Sequence, residues 1–255
     1  MPDPSFNLFA NNQEQWYFHV YTKDTFKDLS GAFRSVFWNR IVLQAAHNHS
    51  SVRSAIIAIA GLASRAKSIA ARPSGLTDIN GSPVSEEQFA LAHYYKFLRE
   101  IRQELENGVP NTRLALISCL LVTCIENLQW HHQGAMKTMW RGLTMFDEWL
   151  KNETFGKGSV SNGTSPRPLL IEDEIVEQIK IYDSQTSWLL DPTPQDDHKR
   201  LRFEGQREIN SMTTSFHSLD EANTLFEVLY RRIHHFVASI RPRRYEMPEI
   251  PDADQ

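Results

Sequence analysis

Thiols, imidazoles, carboxylates and aromatic rings are the groups here whose spacing could support chemistry, and most of that spacing argues for packing instead. Cys119 and Cys124 are the two cysteines of the sequence. Five residues apart on an apolar helix, they stand about 140° apart around its axis and cannot converge on one ion. They read as inert buried thiols, packed as small hydrophobes. His47 and His49 sit near one helix end, and His131 and His132 near another. A zinc site needs three or four converging ligands, whereas adjacent helical histidines diverge by roughly 100°. No metal and no cofactor is therefore expected, and His47 reads as an imidazole placed favourably at a helix C-terminus. Glu126 lies on an otherwise apolar run and needs a partner, for which Arg141 and His132 are the candidates. A structural ion pair is favoured there over a catalytic acid.

The aromatic residues Trp38, Tyr94, Tyr95, Trp130, Trp140, Trp149 and Trp188 recur along the helical segments. Their first reading is helix-packing core, and the alternative is an aromatic pocket for a small hydrophobic effector. Trp38, His47, Glu126, Trp130, His132 and Trp140 are the candidate lining of such a pocket. No nucleophile elbow, phosphate loop, zinc-protease motif or dinucleotide fingerprint is present, so no catalytic residue is assigned. Arg231, Arg232, Arg241, Arg243 and Arg244 form a basic cluster that reads as a solvated helix end rather than a phosphate site.

Composition supplies the frame for these residues. The 255 residues suffice for a sizeable core, and 41% hydrophobic against 23% charged residues is ordinary globular usage, which argues against wholesale disorder. A formal net charge of −4 gives no footprint for nonspecific nucleic-acid binding. The N-terminal stretch has neither the basic nor the apolar region of a secretory signal. The most apolar run, 114–125, is interrupted by Ser118 and Thr123 and falls well short of the roughly 18 residues a membrane span requires. The expected setting is nucleus or cytoplasm, with reduced thiols and no glycosylation at the sequons of Asn48, Asn152 and Asn162.

Apolar periodicity then predicts an all-α array of antiparallel helix pairs, about seven helices in all. The first covers about 29–47, and a break at 48–51 with Ser50 as N-cap opens the second at 51–69. A loop at 72–83 precedes a helix opened by the Ser85/Gln88 capping box and stopped by Gly108. Helices at about 112–127 and 133–150 follow, joined at 129–132 by either a tight turn or a kink. A sixth helix spans 171–190, stopped by Pro192. The stretch from 192 to about 216 reads as polar and irregular. Ser218 and Glu221 cap a seventh helix running to about 239, with Leu225, Phe226, Leu229, Ile233, Phe236 and Val237 expected inward. In domain terms, 1–150 and 169–240 are two helical parts of one domain. A Gly/Pro-rich linker at 151–168 divides them, and a loose tail follows at 241–255.

Several of these segments carry a resemblance in a fixed order. FWNRIVLQAAHNHSSVRSAIIAIAGLAS begins at Phe37, HYYKFLREIRQEL at His93, and TRLALISCLLVTCIENLQWHHQGAMKTMWRGLTMF at Thr112. IVEQIKIYDSQTSWLL and FHSLDEANTLFEVLYRRIHHF follow, from Ile175 and Phe216. The set resembles the fungal-specific regulatory domain found downstream of zinc clusters in fungal transcription factors, over roughly residues 30–239. A binuclear zinc cluster needs six thiolates, so the resemblance does not extend to that DNA-reading module, and family members usually continue beyond the last matched helix. The expectation is an isolated regulatory core that modulates fungal, secondary-metabolism gene expression without sequence-specific DNA binding of its own. Its expected partners are a full-length zinc-cluster factor, a second copy of itself or a small hydrophobic effector, with no membrane partner. The alternative is a helical metabolite-binding protein or enzyme recruited to a fungal biosynthetic pathway.

Overall fold

Asn11 opens the first helix: its side chain accepts a hydrogen bond from the Glu14 backbone N–H at 2.8 Å, and Glu14 accepts from the Ala10 N–H at 2.7 Å. This reciprocal cap satisfies donors that a helix start would otherwise leave bare. The computed structural model describes residues 8–30, 35–70, 83–107, 111–154, 165–187 and 194–240. Among these the regular structure is entirely helical, without strands, as the periodicity predicts. Two compact units, residues 1–179 and 180–255, divide the chain and are described in turn.

In the first unit, α1 (Asn12–Val20) runs through a π-helical turn, Tyr21–Thr25, into α2 (Phe26–Ser30). A second π-helical turn, Phe37–Ile41, leads into α3 (Val42–Asn48). The wider turn brings Phe37, Trp38, Ile41, Val42, Ala45 and Ala46 all into the interior. His49 adopts an extended conformation between α3 and α4 (Ser50–Ala70), so α4 begins one residue earlier than its expected cap allowed.

Helix α4 is buried on most sides because Val52, Ala55, Ile56, Ile57, Ala58, Ile59, Ala60 and Leu62 leave little polar face. It pairs with α5 (Pro83–Asn107), which opens at Pro83 rather than at Ser85, proline being well suited to a first helical position. Arg65 pairs with Glu87 and His49 with Glu104, so the numbering rises along one helix and falls along the other, an antiparallel pair. Close approach is permitted by Gly61, where a Cβ would lie 2.9 Å from that of Ala90.

The second pair is α6 (Thr112–Leu128) and α7 (His132–Thr154). Asn111 caps α6 by accepting from Leu114 N–H at 2.9 Å. Between the helices lies a tight turn rather than a kink. Trp130 stands at φ 62°, its N–H bonds the Asn127 carbonyl at 3.0 Å, and the His131 N–H bonds that of Glu126 at 2.9 Å. This is the paired C-terminal bonding pattern that usually recruits glycine. Helix α8 (Asp173–Ser187) is tied to the start of α6 by a bidentate Arg113–Glu172 pair with contacts of 2.6 to 2.9 Å. Of the expected linker, 155–164 lies outside the described residues, as do the 72–82 part of the expected loop, the Gly108 stop, residues 188–193 and the tail after 240.

In the second unit, α9 (Gln195–Leu201), α10 (Gln206–Asn210) and α11 (Leu219–Ile240) follow the last turns of α8. The expectation of irregular structure up to residue 216 is thereby corrected. Asp196–Lys199 and Asp197–Arg200 pairs staple one turn of α9, and Gly205 at φ 67° turns the chain into α10. At Gly205 a Cβ would collide with the Val228 side chain. Ser218 and Glu221 cap α11 as expected, through Glu221 N–H to Ser218 Oγ at 3.1 Å and His217 N–H to Glu221 Oε2 at 2.8 Å.

Candidate functional site

The residues singled out in sequence separate by environment. Trp38 is 1% exposed, edge-on to Phe37, and its carbonyl accepts from the Tyr21 hydroxyl at 3.0 Å. It is core. His47 lies exposed at the end of α3, where its carbonyl accepts from Arg53 Nη1 at 3.2 Å. Trp140 is partly exposed on α7. Glu126, Trp130 and His132 alone come together, at the α6–α7 turn. There Trp130 is 81% exposed and edge-on to His132, whose Nδ1 lies 3.2 Å from Asn127 Oδ1.

Glu126 has the partner it needs, though neither expected one. Tyr94 donates its hydroxyl to Oε1 at 2.6 Å, and His131 Nδ1 lies 3.5 Å from Oε2. The carboxylate fills the space that a side chain at residue 134 would take, since a Cβ on Gly134 would stand 2.7 Å from Oε2. Burial and this hydrogen bond push the Tyr94 phenol far up, so it stays a proton donor to the carboxylate at any physiological pH. The arrangement fixes α5 against the α6–α7 hairpin. Both thiols are likewise structural: burial raises Cys124 to about 12 and Cys119 to about 11, the latter against the opposing pull of Arg141.

Helix α11 carries the site that sequence reasoning missed. Its buried positions include polar ones, His234 and Ser239, while Phe226, Ile233 and Phe236, expected inward, are more than half exposed. The amphipathic period is correct, but the packed side is not the apolar one. Against α9 the three imidazoles of His198, His234 and His235 converge, with one ligand nitrogen from each lying within 4.8 Å of the others. His198 and His235 approach Nδ1 to Nδ1 at 2.9 Å, and Gln195 donates to the Ser239 carbonyl at 2.9 Å one turn away. His198 and His234 are only 3% and 6% exposed.

Beside this cluster a groove of about 570 Å³ is lined by Arg202, Phe203, Ile209, Leu229, Arg232, Ile233 and Phe236. That volume falls in the range of small-molecule sites, roughly 300–1,000 Å³. Arg202 stacks over the Phe203 ring at 4.7 Å, and its buried Nε has no hydrogen-bond partner among the described residues. Arg232 donates to Gln206 at 2.9 Å. Apolar walls with two guanidinium groups suit an amphipathic anion.

His234 and His235 stand side by side in the sequence without being among the histidines singled out there, and the facing His198 lies on a seven-residue helix in a stretch that reads as irregular. No helix among the described residues is long and apolar enough to cross a membrane. Comparison with family models, with curated proteins and with solved structures returns no match.

Proposed function

We propose that the chain is a regulatory protein of the fungal transcription-factor-domain type, acting on gene expression through contacts with other proteins. The observation that carries this reading is the order of the similar segments together with their placement on helices. The stretches starting at Phe37, His93 and Thr112 lie on α3–α4, α5 and the α6–α7 hairpin, and the last on α11. Inside the first unit the Tyr94 hydroxyl donates to Glu126, joining α5 to α6.

Support for a contact role comes from α11. Leu219, Phe226, Ile233 and Ile240 recur at every seventh residue and are 55–63% exposed. Ala222, Leu229 and Phe236 fall three positions after the first three of them. This is the spacing of a two-helix seam, and it fits an apolar helix of a full-length zinc-cluster factor. Tagged protein recovered from fungal nuclei should enrich such a factor, and Phe226→Asp with Ile233→Asp should abolish the enrichment. Enrichment of untagged copies of the same chain would assign the seam to self-association. Recovery of neither would remove the reading.

A second reading rests on the groove, whose size and paired arginines favour a small anionic, hydrophobic effector or metabolite. Metabolite profiling after gene deletion separates the two. A single accumulated intermediate favours a pathway protein, whereas uniform loss of the pathway's products favours a regulator.

A further inference from the structure

We propose that His198, His234 and His235 form a binding site for an imidazole-favouring divalent transition-metal ion, zinc above all, which fastens α9 to α11. Burial along α11 is inverted. A 22-residue helix that buries histidine and serine while exposing phenylalanine and isoleucine has given up apolar burial at those positions. His198 and His234 are buried where α9 meets this side of α11.

The geometry of the three imidazoles suits metal binding. Zinc–nitrogen bonds of about 2.0–2.1 Å place neighbouring ligand nitrogens about 3.3–3.4 Å apart in a tetrahedral site. The 2.9 Å separation of His198 and His235 is already shorter than this, and one ligand nitrogen of each of the three residues lies within 4.8 Å of the others. Divergence of the neighbours His234 and His235 along α11 is overcome because His198 approaches from the facing helix. The ligands therefore come from two elements, and the ion would act as a crosslink.

The donor set also selects the ion. Three neutral imidazoles favour zinc, cobalt, nickel and copper(II) over magnesium and calcium, which prefer oxygen. Between His198 and His235 in the metal-free protein, one Nδ1 must carry a proton and the other a lone pair. Metal binding at both requires that proton to move to the ring's remote nitrogen, a tautomer change that leaves both imidazoles neutral. Three protein ligands leave a fourth position for water or an anion.

The test uses the full chain, freed of metal by chelation and titrated with zinc chloride, with thermal unfolding and calorimetry as readouts. One zinc per chain should bind, and the midpoint of unfolding should rise with zinc but not with magnesium. Cobalt(II) should give the intense visible absorption of a tetrahedral centre. His198→Gln and His235→Gln should each weaken binding by at least about 10–100-fold, taking the effect of losing a supporting partner as the lower bound. His132→Gln, at the α6–α7 turn of the first unit, should leave it unchanged. Absence of saturable zinc binding by the wild-type chain overturns the proposal, whatever the variants do. So does zinc binding that persists unchanged in both variants with native helicity by circular dichroism.

Discussion

Trp130 and His93 show what single side chains contribute. A non-glycine residue in the left-handed region costs about 1–2 kcal/mol, and glycine returns roughly 0.5–1 kcal/mol of that in chain entropy. Trp130 stands at φ 62° with 81% of its surface exposed, so little burial is lost on its removal. Trp130→Gly should therefore stabilise the protein by about 0.5–1 kcal/mol, read as a higher denaturant midpoint. An unchanged or lower midpoint would mean that the exposed ring contributes more than the backbone strain removes. His93 behaves in the opposite sense, because burial lowers its pKa, with Glu14 opposing and Lys96 assisting. The unfolded chain then takes up the proton first, so His93 stabilises fully above its ordinary value of 6.5 and loses that contribution as pH falls through its lower folded-state value. His93→Gln should flatten the stability–pH curve below about pH 6.5, the ordinary histidine range. A curve of unchanged slope would contradict the burial argument. At this scale the sequence disclosed that Glu126 required a partner but not which one. Tyr94 reaches it from α5, and pairing between helices is invisible to spacing within one.

Helices show the same boundary between local and tertiary information. The seven expected segments all contain helix, because their apolar period and caps are local properties. Helix α1 was overlooked although Asn11 and Glu14 form its cap, since the following residues lack a clean apolar stripe. The short α9 and α10 depend on charge pairs and on Gly205 rather than on periodicity. The most consequential misreading is α11: period identifies an apolar face, yet does not say whether anything covers it. Within the central α4–α5 pair, the close approach of Gly61 and Ala90 is testable. Gly61→Val should destabilise by roughly 1–3 kcal/mol through overpacking. Gly61→Ala should cost less, because alanine recovers about 1 kcal/mol of helix propensity. Combining Gly61→Ala with Ala90→Gly should restore the space, giving a clear non-additivity in urea unfolding. Additive losses would show that the two helices do not meet at this point.

For the whole molecule, the two units pose different questions. Residues 1–179 hold a packed interior in which Tyr94 and Glu126 join two helices, whereas residues 180–255 contain the histidine cluster, the groove and the exposed seam of α11. Fold class was legible throughout because helical period is repeated many times along the chain. The candidate site was not, because it arises where two helices from a charged, irregular-looking stretch and a C-terminal helix meet. The regulatory reading depends on surfaces, and surfaces are judged by what changes when they are altered in the cell. The most direct measurement is transcript profiling of a fungal deletion strain complemented with either the wild-type gene or the Phe226→Asp, Ile233→Asp variant. A coherent set of transcripts should shift on deletion, return with the wild type and stay shifted with the variant. Transcript levels untouched by deletion, or fully restored by the variant, would contradict the regulatory reading.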